Sequence, residues 1–178
     1  MKKMVTAVAV NSIIVSSMIS TYAFASGPYT VNQERELECH ALNIYFETRA
    51  SSLADAMAVA DVVQNRVYHT SFPNNVCDVV KQARIDTNGN PIRNKCQFSW
   101  YCDGKGDNPK NSDAWEKSRK YARDFYIHGS YTGITEGATH YHASYVKPYW
   151  SKKLDRITRI GSHTVSYTHL TLPTIYSV

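Results

Sequence analysis

The sequence predicts a single α+β domain that is mostly helical and carries one small β-hairpin element. Two observations support this fold class. Apolar side chains recur at intervals of three and four residues before residue 81 and again between 113 and 127, as in helices packed on a core. The segments 83–110 and 140–160 are instead short, extended and rich in turn-forming residues. Helices kept apart from strands in this way are typical of α+β folds, not of a wound parallel sheet.

The two longest predicted helices lie near the start of this domain. Thr30 and Gln33 form a capping box, and the helix that follows runs to about Thr48. Its buried side is expected to carry Leu37, Ala41, Ile44 and Tyr45. A second helix opens at Ser52. Its buried stripe is expected to carry Leu53, Met57, Ala60, Val63 and Val67.

The remaining elements are shorter. In chain order they are a short helix through residues 76–80, a strand or hairpin over 96–102, a helix from about 113 to 127, and extended pieces at 140–142 and 157–160. Turn-forming clusters at 86–91 and 103–109 flank the predicted hairpin.

The first 25 residues have the parts of a secretory signal peptide. Lys2 and Lys3 precede an apolar stretch, and Ala23 and Ala25 supply the small residues before a cleavage site. We therefore expect export to the periplasm, the cell wall or the extracellular space, without stable membrane insertion after cleavage. The alternative is an uncleaved anchor, but the apolar stretch is short and polar for a spanning helix.

Residues 165–174 match one reading frame of the transposon-end adaptor used in preparing sequencing libraries. We interpret 165–178 as an adaptor-derived tail that contributes nothing to folding, and 26–164 as the catalytic domain. The alternative is a genuine uncharged tail.

Charge and cysteine content narrow the class of protein. The formal charge of +5 suits an anionic polymer, but no basic run with interleaved aromatic residues indicates nucleic acid. Four cysteines in an exported chain favour disulfides, and their three pairings remain open. We expect at least one bridge within the group Cys77, Cys96 and Cys102. Free buried thiols, or one bridge with two free thiols, are the alternatives.

Glu47 is the residue that most suggests catalysis. It ends an apolar helix beside Tyr45 and Phe46. Loss of water around a carboxyl raises its pKa, and a carboxyl protonated near neutral pH can act as a general acid toward a glycosidic oxygen. The alternative is an ordinary surface residue at a helix terminus, although the helix dipole disfavours an acid there.

Two further segments combine polar and aromatic side chains. Residues 97–100, with the sequence QFSW, could bind the acetamido group of an amino sugar, or could form a hairpin with one buried face. His140 and His142 point the same way in an extended segment. With His163 they could ligate zinc, although we favour a polar and aromatic cleft wall without metal.

Several blocks in order resemble the catalytic domain of the SleB-type cell wall hydrolases, over about residues 34–163. The blocks are ALNIYFETR (41–49), AVADVVQNRV (58–67), FPNNVCDVV (72–80), QFSW (97–100), CDG (102–104), GATHYHA (137–143), VKPYW (146–150) and RIGSH (159–163). The resemblance implies a lysozyme-like fold and cleavage between N-acetylmuramic acid and N-acetylglucosamine, with Glu47 as the essential acid. The chain departs from the family pattern at residues 48–51, where a glycine and a second acid are missing.

We expect the enzyme to act on peptidoglycan glycan strands as a monomer and without a cofactor. The side chains expected to position sugar substituents are Asn65, Gln97, Ser99 and His140, and those expected to stack on sugar rings are Phe98, Trp100, Tyr141 and Trp150. A classical glycosidase needs a second carboxylate, for which Asp55, Asp61 and Asp103 are the candidates. A lytic transglycosylase needs only Glu47, and we favour it. The alternatives are hydrolysis, a zinc peptidase or amidase acting on peptide stems, and a non-catalytic peptidoglycan-binding module.

Overall fold

A computed structural model of the chain describes residues 29–49 and 51–167. Its helices are α1 (Val31–Thr48), α2 (Leu53–Tyr68), α3 (Val76–Val80) and α4 (Ser112–Tyr126), with 3₁₀ helices at Ser99–Cys102 and Tyr149–Lys153. Its strands are β1 (Ala83–Ile85), β2 (Pro91–Cys96), β3 (His140–Ala143), β4 (Asp155–Ile160) and β5 (His163–Tyr167). The α+β class is confirmed. No helix among the described residues is long and apolar enough to cross a membrane.

The helical core is built around α2. The capping box at Thr30 and Gln33 opens α1 as predicted, and Arg49 closes it in the left-handed region with a φ of 53°. Side chains are buried all round α2 because α1, α3, α4 and the sheet pack against it. The predicted stripe holds except at its first position, since Leu53 is 38% exposed.

The β-hairpin lies earlier in the chain than predicted. β1 and β2 pair antiparallel across the turn at residues 86–90, whereas Ser99–Cys102 is a 3₁₀ helix. The prediction of a strand or hairpin over 96–102 is wrong because a disulfide between Cys96 and Cys102 closes a tight loop there. Phe98 and Trp100 point from this loop into the core.

Three antiparallel strands form the second sheet, in the order β3-β5-β4. The central strand contains Val165, which is fully buried and packs in a cluster with Val62 and Ala138. The prediction that the tail contributes nothing to folding is therefore wrong for Val165–Tyr167. The rest of the tail and the predicted signal peptide lie outside the described residues, and the adaptor origin stays a prediction.

Two disulfides cross-link the described residues. Cys39 of α1 bonds Cys77 of α3, and Cys96 bonds Cys102. The second bridge confirms the expectation of at least one bond within the Cys77, Cys96 and Cys102 group. Together the bridges fix α3 against α1 and hold the 97–101 loop in place beside the end of α1.

Candidate active site

The end of α1, the 97–99 loop, β3 and the second 3₁₀ helix enclose a cavity of about 590 Å³, here called the Glu47 cavity. Its lining consists of Glu47, Arg66, Gln97, Phe98, Ser99, His140, Tyr141, His142, Ala143, Trp150, Lys153, Leu154 and His163. The fold therefore brings together most of the predicted site residues, which come from separate parts of the sequence.

Glu47 is the titratable group of this cavity whose pKa shift best suits an acid catalyst. Its carboxyl is largely removed from water, and this burial raises its pKa above the ordinary value for glutamic acid. The hydroxyl group of Tyr141 and the positive charge of Arg66 both act to lower the same pKa, but burial outweighs them. A raised pKa favours the protonated form, which is the form a general acid needs.

Arg66 is the buried cation of the cavity. Its side chain is 5% exposed, its Nε donates to the Thr139 carbonyl oxygen at 2.7 Å, and its guanidinium lies over the rings of Phe72 and Phe98. Its Nη1 has no hydrogen-bond partner among the described residues. A buried, preorganised cation of this kind can stabilise the carboxylate that forms when Glu47 gives up its proton.

Tyr141 sits between these two charges. Burial, followed by the charge of Glu47, raises its pKa well above the ordinary value, so the hydroxyl stays protonated. The hydroxyl oxygen is buried and forms no hydrogen bond of regular geometry with the described residues. The hydroxyl group is nevertheless close enough to Glu47 for each group to shift the pKa of the other.

His140 and His142 form one wall of the cavity with Trp150. Their ring centroids lie 5.7 Å and 5.5 Å from that of Trp150. Burial and, next, the charge of Arg66 lower the pKa of His140 to about 4, and burial also lowers that of His142. Both imidazoles are thus neutral at neutral pH and can donate and accept hydrogen bonds.

The structure leaves two predicted substrate contacts outside the Glu47 cavity. Asn65 donates from Nδ2 to Thr135 Oγ1 and to the Ala138 carbonyl oxygen, each at 2.9 Å, so its amide holds the loop before β3. Trp100 is buried and stacks on Phe46, and its Nε1 donates to Asn43 Oδ1 at 3.1 Å. The Trp100 indole is therefore part of the core, because the short disulfide loop turns this side chain inward.

Phe98 does line the cavity but is only 3% exposed, so its ring forms the floor under Arg66 and offers little surface to a sugar. Gln97, Ser99 and Trp150 are open to solvent and line the cavity. Their contact with substrate stays a prediction. Sequence reasoning missed Arg66 as a site residue. Arg66 is the one cation in the sequence of α2 and lies in its last turn, beside the buried stripe, and this was the signal that could have identified it.

Glu47 is the only acid among the described residues that line this cavity. Asp55 is buried elsewhere, accepting from Ser52, Ser162 and His163. Asp61 accepts from the backbone of Gly133 and Thr135. Both carboxylates are buried and tie loops to α2.

The Asp55 carboxylate is closely packed against the turn between β4 and β5. Gly161 has a φ of +58°, and a Cβ atom there would collide with the Asp55 carboxylate. Asp103 lies in a turn, where its carboxylate accepts from the Lys105 backbone at 2.8 Å. None of the three candidate second carboxylates is therefore placed to act with Glu47.

The three histidines considered for zinc are not arranged as a ligand set. His163 Nδ1 lies 2.9 Å from Asp55 Oδ1, and its ring packs edge-on to Tyr141. Among residues 29–49 and 51–167, no group of three His, Cys, Asp or Glu side chains could hold a metal ion. The zinc peptidase alternative thus lacks ligands in the described part of the chain.

Comparison with known proteins assigns the class. A family model described as Cell Wall Hydrolase matches residues 50–165, and the chain belongs to this family. The match begins after Glu47, so the role of Glu47 depends on the geometry of the site. A search of curated proteins gives no match.

Two solved structures share the fold. The catalytic domain of the germination-specific lytic transglycosylase SleB from Bacillus anthracis is 25% identical, with a TM-score of 0.57 over 79% of this chain and 98% of that one. The catalytic domain of SleB from Bacillus cereus is 22% identical, with a TM-score of 0.53 over 79% of this chain and 94% of that one.

Proposed function

We propose that this cell wall hydrolase cleaves peptidoglycan glycan strands between N-acetylmuramic acid and N-acetylglucosamine as a lytic transglycosylase. The observation that carries the proposal is a single half-buried carboxyl, Glu47, with a raised pKa, in a cavity whose described lining holds no other acid. The similarity to the Bacillus anthracis lytic transglycosylase supports the same reaction.

Glu47 first donates its proton to the glycosidic oxygen, and the bond between that oxygen and C1 of the muramic acid breaks. The Glu47 carboxylate then takes the proton of the C6 hydroxyl group of the same sugar. The C6 oxygen bonds to C1 and closes a 1,6-anhydro ring. No water is consumed, so one carboxyl group acting as acid and then as base is sufficient.

Other side chains have supporting roles in this proposal. Arg66 stabilises the Glu47 carboxylate between the two proton transfers, because its charge favours the ionised form. Gln97, Ser99 and His140 hydrogen-bond sugar substituents, and Trp150 offers an exposed ring for stacking on a sugar face. Tyr141 keeps its hydroxyl proton and interacts with the Glu47 carboxyl group, which lowers the pKa of Glu47.

Mass analysis of products from purified sacculi tests the reaction. Anhydro ends are one water lighter than the products of hydrolysis and cannot be reduced by borohydride. We expect only anhydro ends. Reducible ends would mean that water enters the bond, and would require a base outside the described lining.

We also propose that the protein is exported by cleavage after Ala25 and works as a monomer in the periplasm or cell wall. A substrate outside the cytoplasm and an N-terminal segment of signal-peptide type support export. N-terminal sequencing of the protein recovered outside the cytoplasm is expected to begin at Ser26. Sedimentation of that material gives its oligomeric state.

A further inference from the structure

A second cavity adjoins the Glu47 cavity at the base of the β1–β2 hairpin. Its volume is about 440 Å³, and it is lined by Gln82, Ala83, Arg84, Lys95, Cys96, Gln97 and Trp150. Gln97 and Trp150 line both cavities. The two spaces are therefore neighbouring compartments of one cleft, and we call the second the basic compartment.

The charges of the basic compartment are all positive. Ala83 pairs with Cys96 in the hairpin, so Arg84 and Lys95 are the next residues on the two strands. Both side chains line the same cavity, so their charges act on one space. Neither side chain forms an ion pair with any described residue, and both are exposed. Lys153 adds a third cation in the adjoining Glu47 cavity.

We propose that the basic compartment binds the carboxylate groups of the peptide stems attached to the glycan. This inference rests on the proposed function. In the proposed reaction a muramic acid lies at the cleaved bond, and its lactyl group carries the stem, so the stem leaves the glycan beside Glu47. The compartment that shares Gln97 and Trp150 with the Glu47 cavity lies within reach of the first few stem residues.

The chemistry of the two partners matches. Stem peptides carry free carboxylates, and arginine and lysine are the side chains that bind carboxylates most strongly. Two cations without an ion pair gain a partner when an anion enters the cavity that they line. The consequence is a preference for glycan strands that still carry stems over strands from which an amidase has removed them.

Binding is measured with Glu47→Gln protein, which does not degrade the polymer, by co-sedimentation with three insoluble glycans. One carries intact stems, one has been stripped by an amidase, and one carries stems whose carboxylates have been converted to amides. We expect binding to intact stems to be about three- to tenfold tighter than to either of the others, from two exposed charge contacts. The difference should shrink as salt is raised. Equal binding to amidated and intact stems would overturn the proposal.

The variant Arg84→Gln/Lys95→Gln is expected to bring the ratio of intact to stripped affinity close to one. Its matched control, Lys117→Gln/Arg119→Gln, removes one lysine and one arginine from the exposed face of α4 and should keep the full ratio. A basic-compartment variant that keeps its preference for intact stems would sink the proposal. Circular dichroism checks that both variants are folded.

Cleavage by the unaltered enzyme separates this inference from the function on which it rests. Stem-dependent binding without release of glycan fragments would leave the basic compartment standing and remove the proposed reaction. Cleavage with identical KM for intact and stripped strands would support the proposed reaction and contradict stem binding in the basic compartment.

Discussion

The carboxyl group of Glu47 is under two opposing influences. Burial at the end of α1 raises its pKa, while the Tyr141 hydroxyl and the Arg66 charge lower it. A residue that must donate a proton and then accept one works best when its pKa is close to the working pH. Burial is the larger of the two influences, so the net effect of the site favours the protonated form of Glu47.

Replacing Glu47 by glutamine is expected to slow turnover strongly and keep the fold. The amide side chain would have nearly the same shape but no acidic proton, so the rate of glycan cleavage should fall by roughly 10²–10⁴-fold. Binding to sacculi should survive, because a buried amide costs less than a buried carboxylate. Fragment release from labelled sacculi measures the rate. Glu116→Gln, on the exposed side of α4, is the control and should be fully active. Near-normal cleavage by Glu47→Gln would remove the main residue of the mechanism.

Arg66 gives a prediction for pH dependence. Its charge lowers the pKa of Glu47, so Arg66→Gln should raise that pKa further. Activity that needs protonated Glu47 is lost as pH rises through this pKa, and the alkaline limb of the pH–rate profile should move to higher pH. Arg66→Lys keeps the charge and should return the limb toward its original position.

Arg66→Gln should also lower the free energy of unfolding by about 1–3 kcal/mol, because the Thr139 carbonyl oxygen loses its donor. The melting temperature reports this loss separately from the pH profile. If the alkaline limb of the pH–rate profile does not move in folded Arg66→Gln protein, Arg66 does not control the pKa of Glu47.

At the scale of secondary-structure elements, the two disulfides have different tasks. The Cys39–Cys77 bond closes 38 residues and joins two core helices, whereas the Cys96–Cys102 bond closes 6 and shapes the loop that carries Gln97 and Ser99. Chain-entropy arguments give about 4 kcal/mol for the longer loop and about 2 kcal/mol for the shorter.

We therefore expect Cys39→Ala/Cys77→Ala to lower the free energy of unfolding more, and Cys96→Ala/Cys102→Ala to raise KM more. Urea unfolding and cleavage kinetics below the melting temperature of each variant measure the two effects. The pairs serve as controls for each other. Equal KM changes in both would show that the 97–101 loop keeps its shape without its bridge.

Local signals predicted the helices well and the β elements less well. The capping box at Thr30 and the apolar period of α1 depend on residues within one or two turns, so the sequence displays them directly. The position of Trp100 depends on a disulfide and on Asn43, which is far away in the chain. The prediction that Leu53 is buried was wrong for the same kind of reason, since tertiary packing decides which side of α2 is covered.

At the scale of the whole molecule, buried polar links hold the sheet against α2. Asp55 near its start accepts from the β4–β5 turn, and Asp61 in its middle accepts from the loop before β3. Asn65 and Arg66 then bond the residues that lead into β3. One helix thus positions the cleft wall opposite Glu47. Sequence reasoning found most residues of that wall but not α2 as the element that supports it.

Stability of the whole domain should fall in mild acid because of His40. This side chain is fully buried in α1 between Phe125 and Tyr126, and burial lowers its pKa to about 4, with Gln64 opposing the shift. Above the unfolded pKa of 6.5, both states are neutral and the full stability is present. Between pH 6.5 and about 4 only the unfolded state takes up the proton, so stability declines as pH falls.

The loss from His40 over this window is about 3 kcal/mol, at roughly 1.4 kcal/mol for each unit of pKa difference. His140, whose pKa is also lowered to about 4, adds a further loss over the same window. Urea unfolding at pH 7.5, 5.5 and 4.5 measures it. His40→Gln should make the decline shallower, because the amide does not titrate, and should leave the part due to His140. His128→Gln, on an exposed residue after α4, should leave the decline unchanged. Asp55, whose pKa is held at about 2 despite burial by its bonds from Ser52, Ser162 and His163, adds its own loss only below pH 4. A decline between pH 6.5 and 4.5 that is equally steep in His40→Gln would show that another group controls acid unfolding.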